Sequence, residues 1–242
     1  MTFRTKLALL FYIARLINHG FIGRNYRVTA MLLSVLYIIG ITAEAMTGAL
    51  AAGKKKMDWF GVMLVASATA IGGGTVRDIL LGHYPVGWVK NPHFLVITCI
   101  AGVLTTWIGP WVAKNHRFFV VLDAIGLIVF SIIGSQVALD MGLHPLICVV
   151  AAIVTGVFGG LLRDLFCRQM PMVLHNELYA SISLLSSVLY ISLLHFGVDE
   201  LITTVVTITI GFSARMAAVK FGWCLPVFHL DITEDQPESV KK

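Results

Sequence analysis

Charge is what this sequence has least of. Asp, Glu, Lys and Arg supply 13% of its 242 residues, roughly half the share found in an average soluble domain. The four cysteines, Cys99, Cys148, Cys167 and Cys224, have no short paired spacing, which argues against both a disulfide scaffold and a zinc ribbon. The eight histidines are scattered, without a helix-face pair of the H-E-x-x-H kind, so neither a metal site nor a cofactor is expected. A phosphate-binding loop and a nucleophile elbow are also missing, and no enzyme is expected. The formal charge of +5 is spread over short connections rather than gathered on one polar face, which argues against a nucleic-acid partner.

Long apolar runs fill the space that charge leaves. Hydrophobic residues make up 57% of the chain and the mean hydropathy is +0.86. A hydrocarbon core about 30 Å thick takes about 20 apolar residues to cross as a helix. Seven runs fit: 31–52, 59–82, 93–113, 118–138, 145–166, 178–196 and 201–219. At that depth backbone groups have no water to bond, so the spans must be helical. The expected fold is therefore all-α, a multi-pass membrane protein with seven transmembrane helices. After Arg27, eleven basic residues fall on one side of this topology and only Arg77 and Lys90 on the other. The positive-inside rule then places the C-terminus in the cytoplasm and Met31 outside. Residues 1–30 are too weakly apolar to span; they read as an N-terminal extension, either an interfacial helix or a segment upstream of a start at Met31.

The chain also contains itself twice. Val35–Pro85 aligns without gaps on Val121–Pro171 at an offset of 86, with 13 identities in 51 positions. The identities gather on glycines and on one charged dipeptide: Gly73/Gly159, Gly74/Gly160, Arg77/Arg163 and Asp78/Asp164. Each copy holds three spans, an odd number, so the second enters the membrane from the opposite side. The organisation read from this is repeat 1 over 31–116, repeat 2 over 117–199, a seventh span at 200–221 and a cytoplasmic tail at 222–242. Inverted repeats in membrane proteins enclose transport sites near the midplane where the copies meet.

The glycines lie in spans two and five, in Thr69-Ala-Ile-Gly-Gly-Gly and Thr155-Gly-Val-Phe-Gly-Gly. Each Gly weakens a helix by roughly 1 kcal/mol relative to Ala. Gly72, Gly73, Gly74, Gly159 and Gly160 are therefore expected to kink or break their helices and to line a path, together with the hydroxyls of Ser67, Thr69 and Thr155. The alternative is that they let two helices approach closely. Arg77–Asp78 and Arg163–Asp164 follow each motif. Adjacent helix positions do not face one another, so each charge is expected to need an outside partner. Glu44 and Asp123 have no acid at the matching position of the other copy, where Phe130 and Tyr37 stand. Acids in apolar spans are functional candidates; Glu44 is expected to carry a cation or proton, or to pair with Arg215. Asp123, near a span end, is open to an interfacial role.

Gly72–Gly82 (GGGTVRDILLG), Leu122–Leu127 (LDAIGL) and Gly156–Asp164 (GVFGGLLRD) resemble the bacterial membrane proteins labelled glycine transporters, which are relatives of the trimeric intracellular cation channels. The resemblance covers Met31 to Phe228. It implies a 3+3+1 arrangement of helices, a homotrimer with one path per subunit, and passive conduction of potassium as the permeant ion. It also implies that the glycines bend spans two and five around an hourglass-shaped pore, with Arg77, Asp78, Arg163 and Asp164 holding or gating it. Where the animal channels carry Lys-Glu-Val and bind inositol lipids this chain reads Ala-Ile-Gly-Gly-Gly, so the resemblance does not extend to inositol-lipid regulation, and membrane lipids are the expected lipid partners. Carriage of glycine or another small amino acid is the alternative function.

Overall fold

The structure, a computed structural model, describes residues 31–113, 116–174 and 178–225. The expectations for residues 1–30 and for the tail beyond 225 lie outside the described residues. Eight α-helices account for nearly all of the rest. They are α1 (Met31–Lys54), α2 (Trp59–Leu81), α3 (Gly87–Lys90), α4 (His93–Ala113), α5 (His116–Asp140), α6 (Pro145–Phe166), α7 (Ala180–His195) and α8 (Glu200–Phe221). Local chemistry sets the ends. Asp58 accepts the Gly61 N–H at 2.7 Å before α2, and Gly82, at φ 66°, stops it in a left-handed cap. Asp199 accepts the Leu201 N–H at 2.9 Å before α8, which stops at Gly222 with φ 63°.

Five helices, α1, α2, α5, α6 and α8, are long and apolar enough to cross a membrane. The other two large helices are shorter as apolar spans, at His93–Gly109 and Ala180–His195. With 16 residues, α7 rises about 24 Å, less than the hydrocarbon thickness. Two short elements were absent from the sequence reading: α3, and a 3-10 turn at Met172–Leu174. Large apolar side chains such as Phe60, Leu80 and Trp107 face outward, whereas Glu44, Arg77, Asp123, Arg163 and Arg215 are buried. That distribution suits a hydrocarbon solvent, to which apolar surface costs nothing and a buried charge must be shielded inside the bundle.

The glycine runs do not interrupt their helices. Helix α2 continues through Gly72–Gly74 and α6 through Gly159–Gly160, so the expected break is absent. Tertiary packing outweighs the modest propensity cost. A Cβ at Gly73 would collide with the Thr155 carbonyl oxygen, and one at Gly159 with that of Thr69. The two helices therefore cross backbone against backbone. Residue 73 meets 155 and residue 159 meets 69, so the sequence numbers run in opposite senses and the crossing is antiparallel. Close approach, rather than interruption, is what Gly73 and Gly159 provide.

The same contact recurs within each half. Gly48 on α1 lies against Val65, Ala66 and Thr69 of α2, and Gly134 on α5 against Ala151, Ala152 and Thr155 of α6; every pair is related by the offset of 86. Between halves, Gly40 rests on Phe130 and Gly126 on Glu44.

Candidate functional site

Each arginine–aspartate dipeptide begins a cluster in the last turns of α2 or α6, and in both the arginine folds back on its own neighbour. Arg77 Nε and Nη2 donate to Asp78 Oδ1 at 3.0 and 2.6 Å. Arg163 Nε donates to Asp164 Oδ1 at 2.8 Å. The expectation that adjacent residues cannot neutralise one another is thus corrected: it holds for Cβ directions, but an arginine side chain is long enough to curl around to the next residue.

Each aspartate also pins the loop after its helix. Asp78 Oδ2 accepts the Gly87 N–H at 3.0 Å, and Oδ1 lies 3.1 Å from His83 Nδ1. Asp164 Oδ2 accepts the Met172 N–H at 2.9 Å, and Oδ1 accepts from Gln169 Nε2 at 2.8 Å. The two unforeseen short elements, α3 and the 3-10 turn, are therefore anchored by corresponding carboxylates. Because α2 and α6 are antiparallel, the two clusters lie toward opposite ends of the crossing and do not pair with each other.

The second cluster is larger. Arg163, fully buried, also donates through Nη1 to Asp123 Oδ1 at 2.9 Å and to Thr47 Oγ1 at 3.2 Å, which ties α6 to α5 and α1. Its guanidinium lies over the Phe119 ring, 5.1 Å from the centroid. The Tyr179 hydroxyl donates to Asp123 Oδ1 at 3.3 Å. Arg215 brings in α8: its guanidinium stacks 4.9 Å from the Tyr179 centroid and Nη2 stands 4.0 Å from Asp123 Oδ2. Asp123 is 1% exposed. It lies two turns inside α5, on a face covered by other helices. Arg215 pairs with Asp123, which lies between the two arginines. Glu44 Oε2 is 3.1 Å from Thr47 Oγ1.

The hydroxyls serve the seams. Thr69 and Thr155 donate to their own helices, to the carbonyls of Val65 and Ala151, both at 2.6 Å, where Gly48 and Gly134 approach. Ser67 bonds Thr98 of α4 at 3.0 Å. Gly72 lies against Leu162, Gly74 has only Arg77 Nη2 near it among the described residues, and Gly160 faces Tyr179 and Arg163.

Of the residues singled out in the sequence, Glu44, Asp123, Arg163, Asp164 and Arg215 come together, while Arg77 and Asp78 stand apart from them. Sequence reading missed Thr47, Phe119, Tyr179, His83 and Gln169. Thr47 is three residues beyond Glu44, within reach on one helix face, and Gln169 matches His83 at the repeat offset. Nothing in the sequence marked Phe119 or Tyr179.

This architecture has known counterparts. The family described as glycine transporter matches residues 34–110 and again residues 120–195, so one family pattern fits each half. The inner membrane protein YadS of Escherichia coli K12, a UPF0126 protein, is 37% identical over 203 residues, 83% of this chain and 98% of its own. Among solved structures, a TRIC trimeric intracellular cation channel orthologue from Rhodobacter sphaeroides is 33% identical with a TM-score of 0.76, covering 79% of this chain and 98% of that one. A prokaryotic TRIC channel in 0.5 M KCl is 30% identical with a TM-score of 0.74, covering 81% of this chain and 100% of that one. The chain belongs to the glycine-transporter family of UPF0126 membrane proteins and has the TRIC channel fold.

Proposed function

We propose that this protein is a monovalent cation channel, conducting potassium through a path in each subunit of a homotrimer. The observation that carries the reading is the reciprocal α2/α6 crossing, with a buried arginine–aspartate cluster beyond each end of it. Its support from outside the chain is the likeness to proteins described as TRIC cation channels.

In this reading the halves 31–116 and 117–199 are inverted repeats of three spans each, followed by a seventh span at 200–221. The reciprocal contacts Gly73–Thr155 and Gly159–Thr69, and Gly40–Phe130 and Gly126–Glu44, are what a pseudo-twofold axis in the membrane plane would produce. The path runs beside the crossing, on the side where Gly74 leaves space next to its helix. Arg77, Asp78, Arg163 and Asp164 hold its two ends. The membrane is the bacterial inner membrane, with the C-terminus in the cytoplasm. No catalytic role is part of this reading.

The test is single-channel recording of purified protein in potassium and sodium gradients. Unitary current steps, with a reversal potential that follows potassium, are the expected result. Saturable glycine exchange without conductance would overturn it in favour of the carrier reading that the family's description suggests.

A further inference from the structure

The two clusters differ in charge balance. At the Arg77 end one arginine meets one buried aspartate, and the positions matching Asp123 and Glu44 are Tyr37 and Phe130, so ionised side chains cancel. At the Arg163 end Glu44, Asp123 and Asp164 face Arg163 and Arg215, and all five are 2% exposed or less. Among the described residues, three carboxylates against two guanidiniums leave one negative charge in excess at depth, which costs several kcal/mol unless something positive joins it.

Hydrogen bonding locates the deficit at Glu44. Thr47 Oγ1 lies 2.9 Å from the Glu44 carbonyl oxygen and 3.1 Å from Glu44 Oε2, while accepting from Arg163 Nη1. A hydroxyl has one hydrogen, so Thr47 leaves at least one of those Glu44 oxygens only weakly bonded. Among the described residues Glu44 Oε1 and Asp123 Oδ2 have no hydrogen-bond partner, nor, on the donor side, has Arg163 Nη2. The Glu44 carboxyl lies against Gly126, and Asp123 is one turn before Gly126 on the same face of α5.

We propose that Glu44 is the binding site for one exchangeable monovalent cation, a proton or an alkali-metal ion, that completes the charge balance of the Arg163 cluster. The groups facing the site among the described residues are Asp123 from α5, Arg163 and Asp164 from α6 and Tyr179 ahead of α7, with Thr47 on α1 itself, while Arg215 from α8 reaches it through Asp123. Lys54, at the exposed end of α1, lies over the Phe119 ring at 5.4 Å and outside the buried set. The site goes beyond the conduction reading and is tested without measuring flux, so either can fail alone.

The test uses the full chain in detergent, wild type and Glu44→Gln, melted in titrations of KCl and NaCl against choline chloride, with infrared spectra recorded across pH. An alkali-ion occupant gives a saturable rise in wild-type melting temperature with K⁺ or Na⁺, and Glu44→Gln weakens it by at least about tenfold. A proton gives instead a protonated-carboxyl C=O band at neutral pH that Glu44→Gln removes. The wild-type spectra and titrations stand alone should the variant fail to fold. A wild type with neither alkali-dependent stabilisation nor a protonated-carboxyl band overturns the proposal, and so does a variant that keeps whichever signal the wild type shows.

Discussion

Replacing Gly73 by alanine puts two opposed effects on one residue, and the structure says which wins. Alanine in a helix interior is worth about 1 kcal/mol over glycine. At position 73, however, the new Cβ would meet the Thr155 carbonyl, backbone rather than a side chain that can rotate away. Helices α2 and α6 must then part by on the order of 1 Å, and a gap of that size forfeits a quarter to a half of the dispersion energy along the seam. Overpacking of this kind costs about 1–3 kcal/mol. Gly73→Ala and Gly159→Ala are each expected to lower stability by about 1–3 kcal/mol, which is about 2–4 °C in melting temperature per kcal/mol for a chain of this size.

The neighbouring Gly74 supplies the control. Its nearest contact is Arg77 Nη2 at 3.8 Å, ordinary van der Waals distance at the end of a flexible side chain. Gly74→Ala is expected to be neutral or to gain up to about 1 kcal/mol. Thermal unfolding in detergent, followed by tryptophan fluorescence, reads both signs. If Gly73→Ala and Gly159→Ala melt at or above wild type, the backbone-to-backbone crossing is refuted.

The buried polar contacts make three further predictions. Asp123→Asn weakens the bonds that Asp123 accepts from Arg163 and Tyr179 and is expected to cost about 1.5–3 kcal/mol; detergent melts and monodispersity by size exclusion check this. Asp164→Asn weakens its bonds to Arg163 and to the Met172 amide, and hydrogen exchange is expected to speed up in the loop after α6 while α2 is unaffected. Tyr190→Phe deletes the 2.8 Å bond from its hydroxyl to Gln136 and is expected to cost about 1 kcal/mol, without changing the second cluster.

How far the sequence carried the fold is clearest at the spans. The expected ranges 59–82 and 145–166 coincide almost residue for residue with α2 and α6, because apolar length, Asp58 and Gly82 are all local signals. The expected span at 178–196 outruns α7, since hydropathy continues past the point where the backbone stops being helical. The charge cluster was legible by membership but not by partner. Arg163, Asp164, Asp123, Glu44 and Arg215 stand out because charge in an apolar run is rare. Composition contains no information on whether Arg215 reaches Glu44 or Asp123.

By itself the sequence determined that the chain is a helical membrane protein and that its two halves are copies, for apolar length and repetition are properties of the string. Only the tertiary structure decided what the shared glycines do. A glycine weakens a helix wherever it occurs, and whether that weakness becomes a break or a close contact depends on what lies opposite. Opposite Gly73 and Gly159 lies the backbone of the other half, which is why the helices stay whole and pass so near. Tertiary structure likewise decided that the second cluster has one carboxylate more than its arginines balance, a count that exists only once five residues from four helices share a single buried site.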